Sequence, residues 1–594
     1  AVPHSPIPEA GGTLQLIEYG SSPQITRIDG YGNGNRDLEF TAPTLSTILA
    51  EGYMENPTYD YGQGPINVKV VDPLMLEPGY FECKFRDYTA PNSGNGADTA
   101  SWVIYRYDVE GGTILDSVSS EQTIAVDNEQ IIAEWGVSVQ IYQEKYYFPS
   151  GSGNIAAKTT DMISSSITFA DSSKRWLTGV RDNDAYYPTN WIRSGDYAPE
   201  TDENDAAYEC QPDGPAYLDP CNYRDEAGAD PEQAYESILE GTVAPHRLVG
   251  YQGDYMPLAY FGTFSGSSKS NASISFAPSV NIVITQDKSK WTRCPVIEMG
   301  RTPALNVGQG AAGAMRKSPS VDKDGNPDGT GNGMGWFPGY AVDLESGARL
   351  YMAFGENSFL GGENGADMLW NPTDRLVSNV GTPLMGGVHP VYVFSYNQKT
   401  TNGYSSGFDF PAYIPSNAET AGSNFLQNKW LEVETNNSTA KREMYGSLSW
   451  VFNPMLRQEQ ELLSTDVTVK LRINKEYKNF VGSGENAGNP MYSWAMDEIA
   501  TVTASENQLK EALKMINVVP NPYYAFSDYE RNRLDTRVKI TNLPERCNIS
   551  IYTISGKLVK RFSKDNPLTS LDWNLTNHAN IPIASGVYLI HVDA

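Results

Sequence analysis

The stretch GYFECKFRDY, residues 79–88, sets Phe81, Cys83 and Phe85 on one side of the chain and Glu82, Lys84 and Arg86 on the other. A period of two belongs to an extended chain whose faces meet different surroundings, so this segment is committed to a half-buried strand. The same alternation returns in ASWVIYRYDV, and again in WGVSVQIYQ through Val137, Val139 and Ile141. Gly, Asp and Asn cluster between these pieces, as turns require. Short half-buried strands joined by turns must pack face to face. Residues 61–149 therefore predict a β-sandwich of fibronectin or immunoglobulin type.

The rest of the chain repeats that grammar. Strand candidates are SSITFA, ASISFA, NIVITQD, ARLYMAF, PVYVFSY, GSLSWVF and VTVKLRINKEY, all within 155–505, a loop-rich region that predicts one or two packed sandwiches. SGSGN at 150–154 is a linker signal. Residues 1–60 are turn-rich, with one strand-like piece, TLQLIEYG. Helical patterns are few: PEQAYESILEG at 231–241 and a linker helix over 506–517. With 594 residues the chain exceeds a single core. The fold class expected is all-β, several successive sandwiches with long loops and few short helices.

Charge narrows the partners. Asp and Glu number 72 against 44 Lys and Arg, a formal charge of −28. Such a surface repels nucleic acid and anionic membranes. No apolar run reaches the length of a membrane-spanning helix. The start, AVPHSPIPEAGG, lacks the charged and apolar regions of a signal peptide, so in a secreted chain Ala1 reads as a processed terminus. The cysteines form no CxxC pair, which removes the usual zinc and redox motifs. Cys210 and Cys221 enclose QPDGPAYLDP in an acidic loop and are the candidate disulfide, which would imply an oxidising location.

Near the end, Pro520 and Pro522 fix an extended segment after the linker helix. TRVKITNLP alternates, CNISIYTISGKLVKRFS reads as a hairpin about Ser555-Gly556, and LDWNL and SGVYLIHV supply two more strands. Taken in order, VVPNPYY, RVKITNLP, ISIYTISGKLVKRF and LDWNLTNHANIPIASGVYLIHV, with Gly556 and Gly586 in place, resemble the C-terminal sorting domain of bacterial type IX secretion cargo along 518–594. That resemblance implies partnership with the type IX secretion machinery during export, then display on the outer cell surface or release. Tails of that family run on past YLIHV into a further strand with a basic residue, which 518–594 does not contain. An edge left open there would accept a strand, and TLQLIEYG within residues 1–20 is the candidate donor from a second copy. DKSKWTRC at 287–294 and GMGWFPGYAVDLESGARLYMAFGENSFL at 333–360 are similar to phrases in long surface proteins with such tails. Asp98-Thr99-Ala100 and Asp116-Ser117-Val118 fit an O-glycosylation pattern linked to this secretion group, marking Thr99 and Ser117 as acceptors.

Motifs for chemistry are scarce. No HExxH, GxSxG or P-loop occurs among the five histidines and their surroundings. VDKDGNPDGTGNG sets Asp322, Asp324, Asn326 and Asp328 at alternate positions, as a calcium loop would. Pro327 stands where an EF-hand needs glycine and no glutamate closes the loop, so a solvated acidic turn is the better reading and a calcium loop the alternative. Glu356, Glu363 and Asp367 gather near Trp370, in the style of a glycosidase's carboxylates beside a sugar-stacking ring. Trp176, Tyr186, Tyr187 and Trp191 would serve either as a sugar platform or as core. The reading that results is an extracellular, non-enzymatic structural or adhesive protein, self-associating or bound to other surface proteins. The alternative is a secreted polysaccharide-binding module or glycoside hydrolase.

Overall fold

The structure, a computed structural model, describes residues 13–14, 17–34, 36–86, 100–143, 163–178, 243–245, 278–300, 303–374, 376–379, 382–385, 389–397, 409–452, 454–474, 477, 484–497, 499, 502–503, 513–523, 536–566 and 568–593. They form an all-β protein of several units. The first unit contains the alternating segments. Tyr80–Arg86 buries Phe81, Cys83 and Phe85 and turns its other face outward. It belongs to a six-stranded sheet in the order Thr58–Tyr59, Ile25–Asp29, Met491–Ala495, Tyr80–Arg86, Ser101–Tyr107, Ile114–Ser119. Asn67–Val70, Val137–Gln140 and Glu129–Ile132 make the second sheet. Trp102, Ile104, Val68, Val139 and Trp135 fill the space between them. The Phe81 ring stacks on Trp494 at 5.5 Å.

Residues 61–149 are thus not the whole of this sandwich. Ile25–Asp29 and Met491–Ala495 enter its first sheet, with Trp494 opposite Phe81 and Tyr492 opposite Cys83. Four of the five residues of Met491–Ala495 are buried. A strand covered on both faces carries no alternation that would assign it to a distant partner.

The central unit has two sheets. One runs Ile163–Phe169, Val467–Ile473, Val280–Ile284, Gly339–Asp343, Ala348–Arg349. The other runs Val243–Pro245, Leu448–Phe452, Val391–Phe394, Met352–Glu356, Thr292–Glu298, Met334–Phe337. Ile282, Val469, Phe354, Val393 and Trp450 share the core between them. Thr292–Glu298 and Met352–Glu356 are parallel, so Glu298 lies opposite Glu356. Both strands are buried along their full length.

Helices stand where the sequence reading named none. Ala42–Glu51 starts at the Thr41 cap with a proline in its first turn and stops at Gly52, whose φ of 83° suits only glycine without strain. Its Ile48 packs with Leu38, Phe40 and Tyr59 against Tyr340, Val342 and Leu344, joining the first unit to the second. Arg472 ties the same seam, reaching Glu39 at 2.7 Å and Asn281 at 2.9 Å. Phe425–Glu434 and Ser438–Ser447 are capped by Asn424 and Asn437. The helix expected at 231–241 lies outside the described residues, as does most of the one over 506–517.

The last unit is a small sandwich. Asn517–Val519, Val538–Thr541 and Ser570–Trp573 face Leu558–Asp565, Arg546–Thr553 and Tyr588–Asp593. The hairpin turns at Gly556, φ 81°, where the Gly556 amide reaches the Thr553 carbonyl at 2.9 Å. Val518, Phe562 and Ile590 connect its two ends through Trp573, Ile551, Ile549 and Ile540. The strand donation expected from the N-terminus meets a correction: Thr13–Leu14 pairs within the same chain with Val502–Thr503. Its backbone groups already have an internal ladder. Among the described residues no helix is long and apolar enough to cross a membrane, which says nothing of strands.

Candidate functional site

The acidic stretch folds as a hairpin, Pro319–Val321 against Pro327–Asn332. Asp322 begins its turn. One carboxylate oxygen accepts the amides of Asp324 at 2.8 Å and Asn326 at 2.9 Å, and Gly325 supplies the positive φ that the turn needs. The Asn326 and Asp324 amides hold the Asp322 carboxyl below its ordinary value. Asp324 turns away to an ion pair with Lys288. Asp328 accepts the Thr330 amide at 2.8 Å and hydroxyl at 2.7 Å, and pairs with Arg293 at 2.5 Å. Burial raises its pKa, but Thr330 and Arg293 outweigh that and keep it low.

The four expected calcium ligands are therefore neighbours in sequence with separate partners. Asp322 closes its own turn, Asp324 faces Lys288, Asp328 faces Arg293, and Asn326 reaches only Asp322 at 3.5 Å. Among the described residues no group of three or more His, Cys, Asp or Glu is arranged to hold a metal ion. A cation placed here would compete with two basic side chains and three backbone amides. The geometry is that of an acidic turn.

One wall of an open groove of about 440 Å³ comes from this hairpin. Trp336 stands on Met334–Phe337, directly across the ladder from Arg293 on Thr292–Glu298. The indole N–H donates to the Val321 carbonyl at 3.1 Å, which fixes the ring. Over the ring lie the Lys323 ammonium, 4.1 Å from its centre, and the Arg293 guanidinium at 5.2 Å. Lys323 also donates to the Lys288 carbonyl at 2.7 Å, and burial pulls its pKa down. Glu419, just past the short helix Pro415–Ala418, completes the lining and accepts from the Tyr413 hydroxyl at 3.4 Å. Sequence reading passed over Trp336, Arg293, Lys323 and Glu419. The first two sit in the quoted phrases GMGWFPGY and DKSKWTRC, but only strand register brings them together.

A second charged group is sealed inside the central unit. Glu298 receives the Ser358 hydroxyl at 2.6 Å, the Gly300 amide at 2.8 Å and Arg316 at 2.8 Å. The same guanidinium reaches Glu356 at 3.1 Å. Neither Glu356 oxygen nor either His389 nitrogen has a well-formed hydrogen bond among the described residues. Burial drives Glu356 well above the ordinary carboxylate range against the pull of Arg316, and Asp367 adds to the rise. Burial also pushes His389 down to about 4.

This arrangement bears on the glycosidase expectation. Glu356 is wholly buried, Trp370 is core, and Asp367 holds its own loop through the Leu369 amide at 3.0 Å and Asn371 at 2.8 Å. Glu363 is partly exposed at the end of the short 3-10 helix Ser358–Glu363, which follows Glu356. Trp176 is core, while Tyr186, Tyr187 and Trp191 lie outside the described residues. So do Cys210, Cys221 and Thr99. Ser117 is exposed on the edge strand Ile114–Ser119, its amide bonded to Asp116 at 2.7 Å. Cys83, Cys294 and Cys547 are buried free thiols, and burial lifts that of Cys294 to about 12.

No family model matches the chain, and no curated protein does. A solved structure with a partial likeness is PorZ, described as an essential bacterial surface component of the type IX secretion system of Porphyromonas gingivalis. It is 23% identical over 20% of this chain and 13% of that one, with a TM-score of 0.12. A likeness so short and loose supports no assignment.

Proposed function

We propose that this is a non-enzymatic extracellular protein, exported by type IX secretion and held at or released from the outer cell surface. There it serves as a subunit of a surface layer, matrix or filament, or as an adhesin. One observation carries the reading: the segments that resemble a sorting domain fold as one small two-sheet unit with its own core, 517–593, in the order the resemblance requires. VVPNPY opens it, ISIYTISGKLVKRF lies in its hairpin, and YLIHVD pairs back onto that hairpin along Asn548–Thr553. A module of this kind can be read by an export apparatus independently of what it carries.

The test is localisation. In cells of the producing bacterium, the protein should be open to added protease on intact cells or present in the medium. In a strain lacking the type IX translocon it should accumulate in the periplasm. Periplasmic protein in both strains would overturn the reading. Negative-stain images of the native material then separate a polymer or layer from dispersed monomers.

A further inference from the structure

We propose that the groove beside Trp336 binds a neutral saccharide, a site that stands apart from the export reading. Its volume of about 440 Å³ falls within the range of small-ligand sites, roughly 300–1,000 Å³, and would admit a mono- or disaccharide. The floor is rigid. Trp336 is mounted on a sheet strand, and its N–H is held by the Val321 carbonyl, so the ring cannot swing away. An aromatic face is electron-rich and attracts positive edges. The Lys323 ammonium now lies over it, tethered at the tip of a hairpin by a bond to the Lys288 carbonyl. The C–H face of a pyranose ring carries partial positive charge and suits the same surface, while its hydroxyls would receive the displaced ammonium.

The charges around the ring choose the ligand class. Asp328 is neutralised by Arg293 and Asp324 by Lys288. Lys323 remains as a donor, and Glu419 and Asp322, the latter also accepting the amides of its own turn, remain as acceptors lining the same groove. An anionic ligand would meet Glu419 and Asp322, and a cationic one would meet the Lys323 ammonium that already lies over the ring. A neutral polyol avoids both penalties, because each hydroxyl can donate to a carboxylate and accept from an ammonium. This mixture of one fixed ring with donors and acceptors of both signs is poorly matched to a peptide's apolar side chains.

Saturation-transfer NMR on the full chain tests the site, using the methyl glycosides of glucose, galactose, mannose and N-acetylglucosamine, with glucosamine and glucuronic acid as charged probes. At least one neutral glycoside should receive saturation at its ring C–H protons and bind more tightly than both charged probes. Trp336→Ala should weaken that binding by about tenfold or more, the scale of losing a central anchor. Because the indole also supports the hairpin, Glu419→Gln provides a second check: it should weaken binding while leaving the melting midpoint unchanged. No transfer to any neutral glycoside would overturn the proposal. So would binding that neither substitution alters, or a preference for either charged sugar. None of these results touches the localisation test.

Discussion

Two groups of charged residues sit on the central unit, and they differ in what water does for them. At the hairpin, Lys288 and Asp324 keep side-chain exposures of 47% and 69%, so solvent screens their attraction. In the Glu298–Arg316–Glu356 cluster the exposures are 1% or less. There no solvent replaces a lost partner, and removing one charge leaves another uncompensated in an apolar surrounding. Arg293–Asp328, at 6% and 14%, stands between them. The acidic stretch that reads as a cation loop is thus the weakly held group, while the sealed cluster shows in the sequence only through Glu356, grouped there with Glu363 and Asp367 instead of its true partners.

The largest effect should come from the sealed cluster. Arg316→Met should destabilise the protein by about 3–5 kcal/mol in urea denaturation, since Glu298 and Glu356 would face each other across parallel strands without a cation. Lys288→Met should leave the denaturation midpoint essentially in place. Equal losses in the two variants would erase the contrast between the groups.

The pH dependence follows next in size. Glu356 has its folded value raised, so the stability it contributes is complete below about 4.5 and is lost as pH rises through the raised value. His389 has its folded value depressed from 6.5 to about 4, so its contribution is present above 6.5 and lost as pH falls toward 4. At 1.36 kcal/mol per unit that second loss is on the order of 3 kcal/mol. Both groups face Arg316 and Asp367. Denaturation midpoints from pH 4 to 9 should show Glu356→Gln flattening the alkaline limb and His389→Gln flattening the acid limb. Curves that stay parallel to the wild type would mean that neither group titrates differently on unfolding.

Between the extremes, Asp328→Asn should cost about 1–2 kcal/mol, because it weakens charge-assisted bonds to Arg293 and Thr330 that water only partly replaces. A loss as great as that of Arg316→Met would show that exposure does not order these pairs.

How much of this was legible in the residues depends on whether a segment has two different faces. Tyr80–Arg86 and the hairpin around Gly556 have them, and their strands, turn and core side could be read directly. Thr292–Glu298 does not: all seven residues are buried, so no alternation marks the strand or its parallel partner. Met491–Ala495 was lost to its sheet for the same reason. The helix Ala42–Glu51 does carry local signals, a threonine cap, an early proline and a terminal glycine, in a segment whose turn-rich composition masks them. Glu298 and Arg316 belong to no motif, because nothing local in a sequence reports that two charged side chains will be enclosed together. The groove depends on register between Arg293 and Trp336, which is likewise a property of the sheet.

The smallest effect belongs to the hairpin itself, and it sharpens the comparison by what stays still. The calcium expectation rested on alternate oxygen-bearing side chains at Asp322, Asp324, Asn326 and Asp328. A calcium ion needs six to eight oxygens converging at about 2.3–2.6 Å. Here the Asp322 carboxylate accepts two amides of its own turn, and Lys288 and Arg293 occupy its neighbours. Binding would have to release those partners first, and the loop offers no glutamate to complete the shell. Thermal melts with excess chelator and with millimolar calcium should therefore coincide, since a ligand that prefers the folded state raises the midpoint with its concentration. A midpoint that falls with chelator and returns with calcium, and does so less in Asp322→Ala, would reinstate the loop as a cation site. It would also mean that the open group of charges responds to its surroundings more strongly than the sealed one.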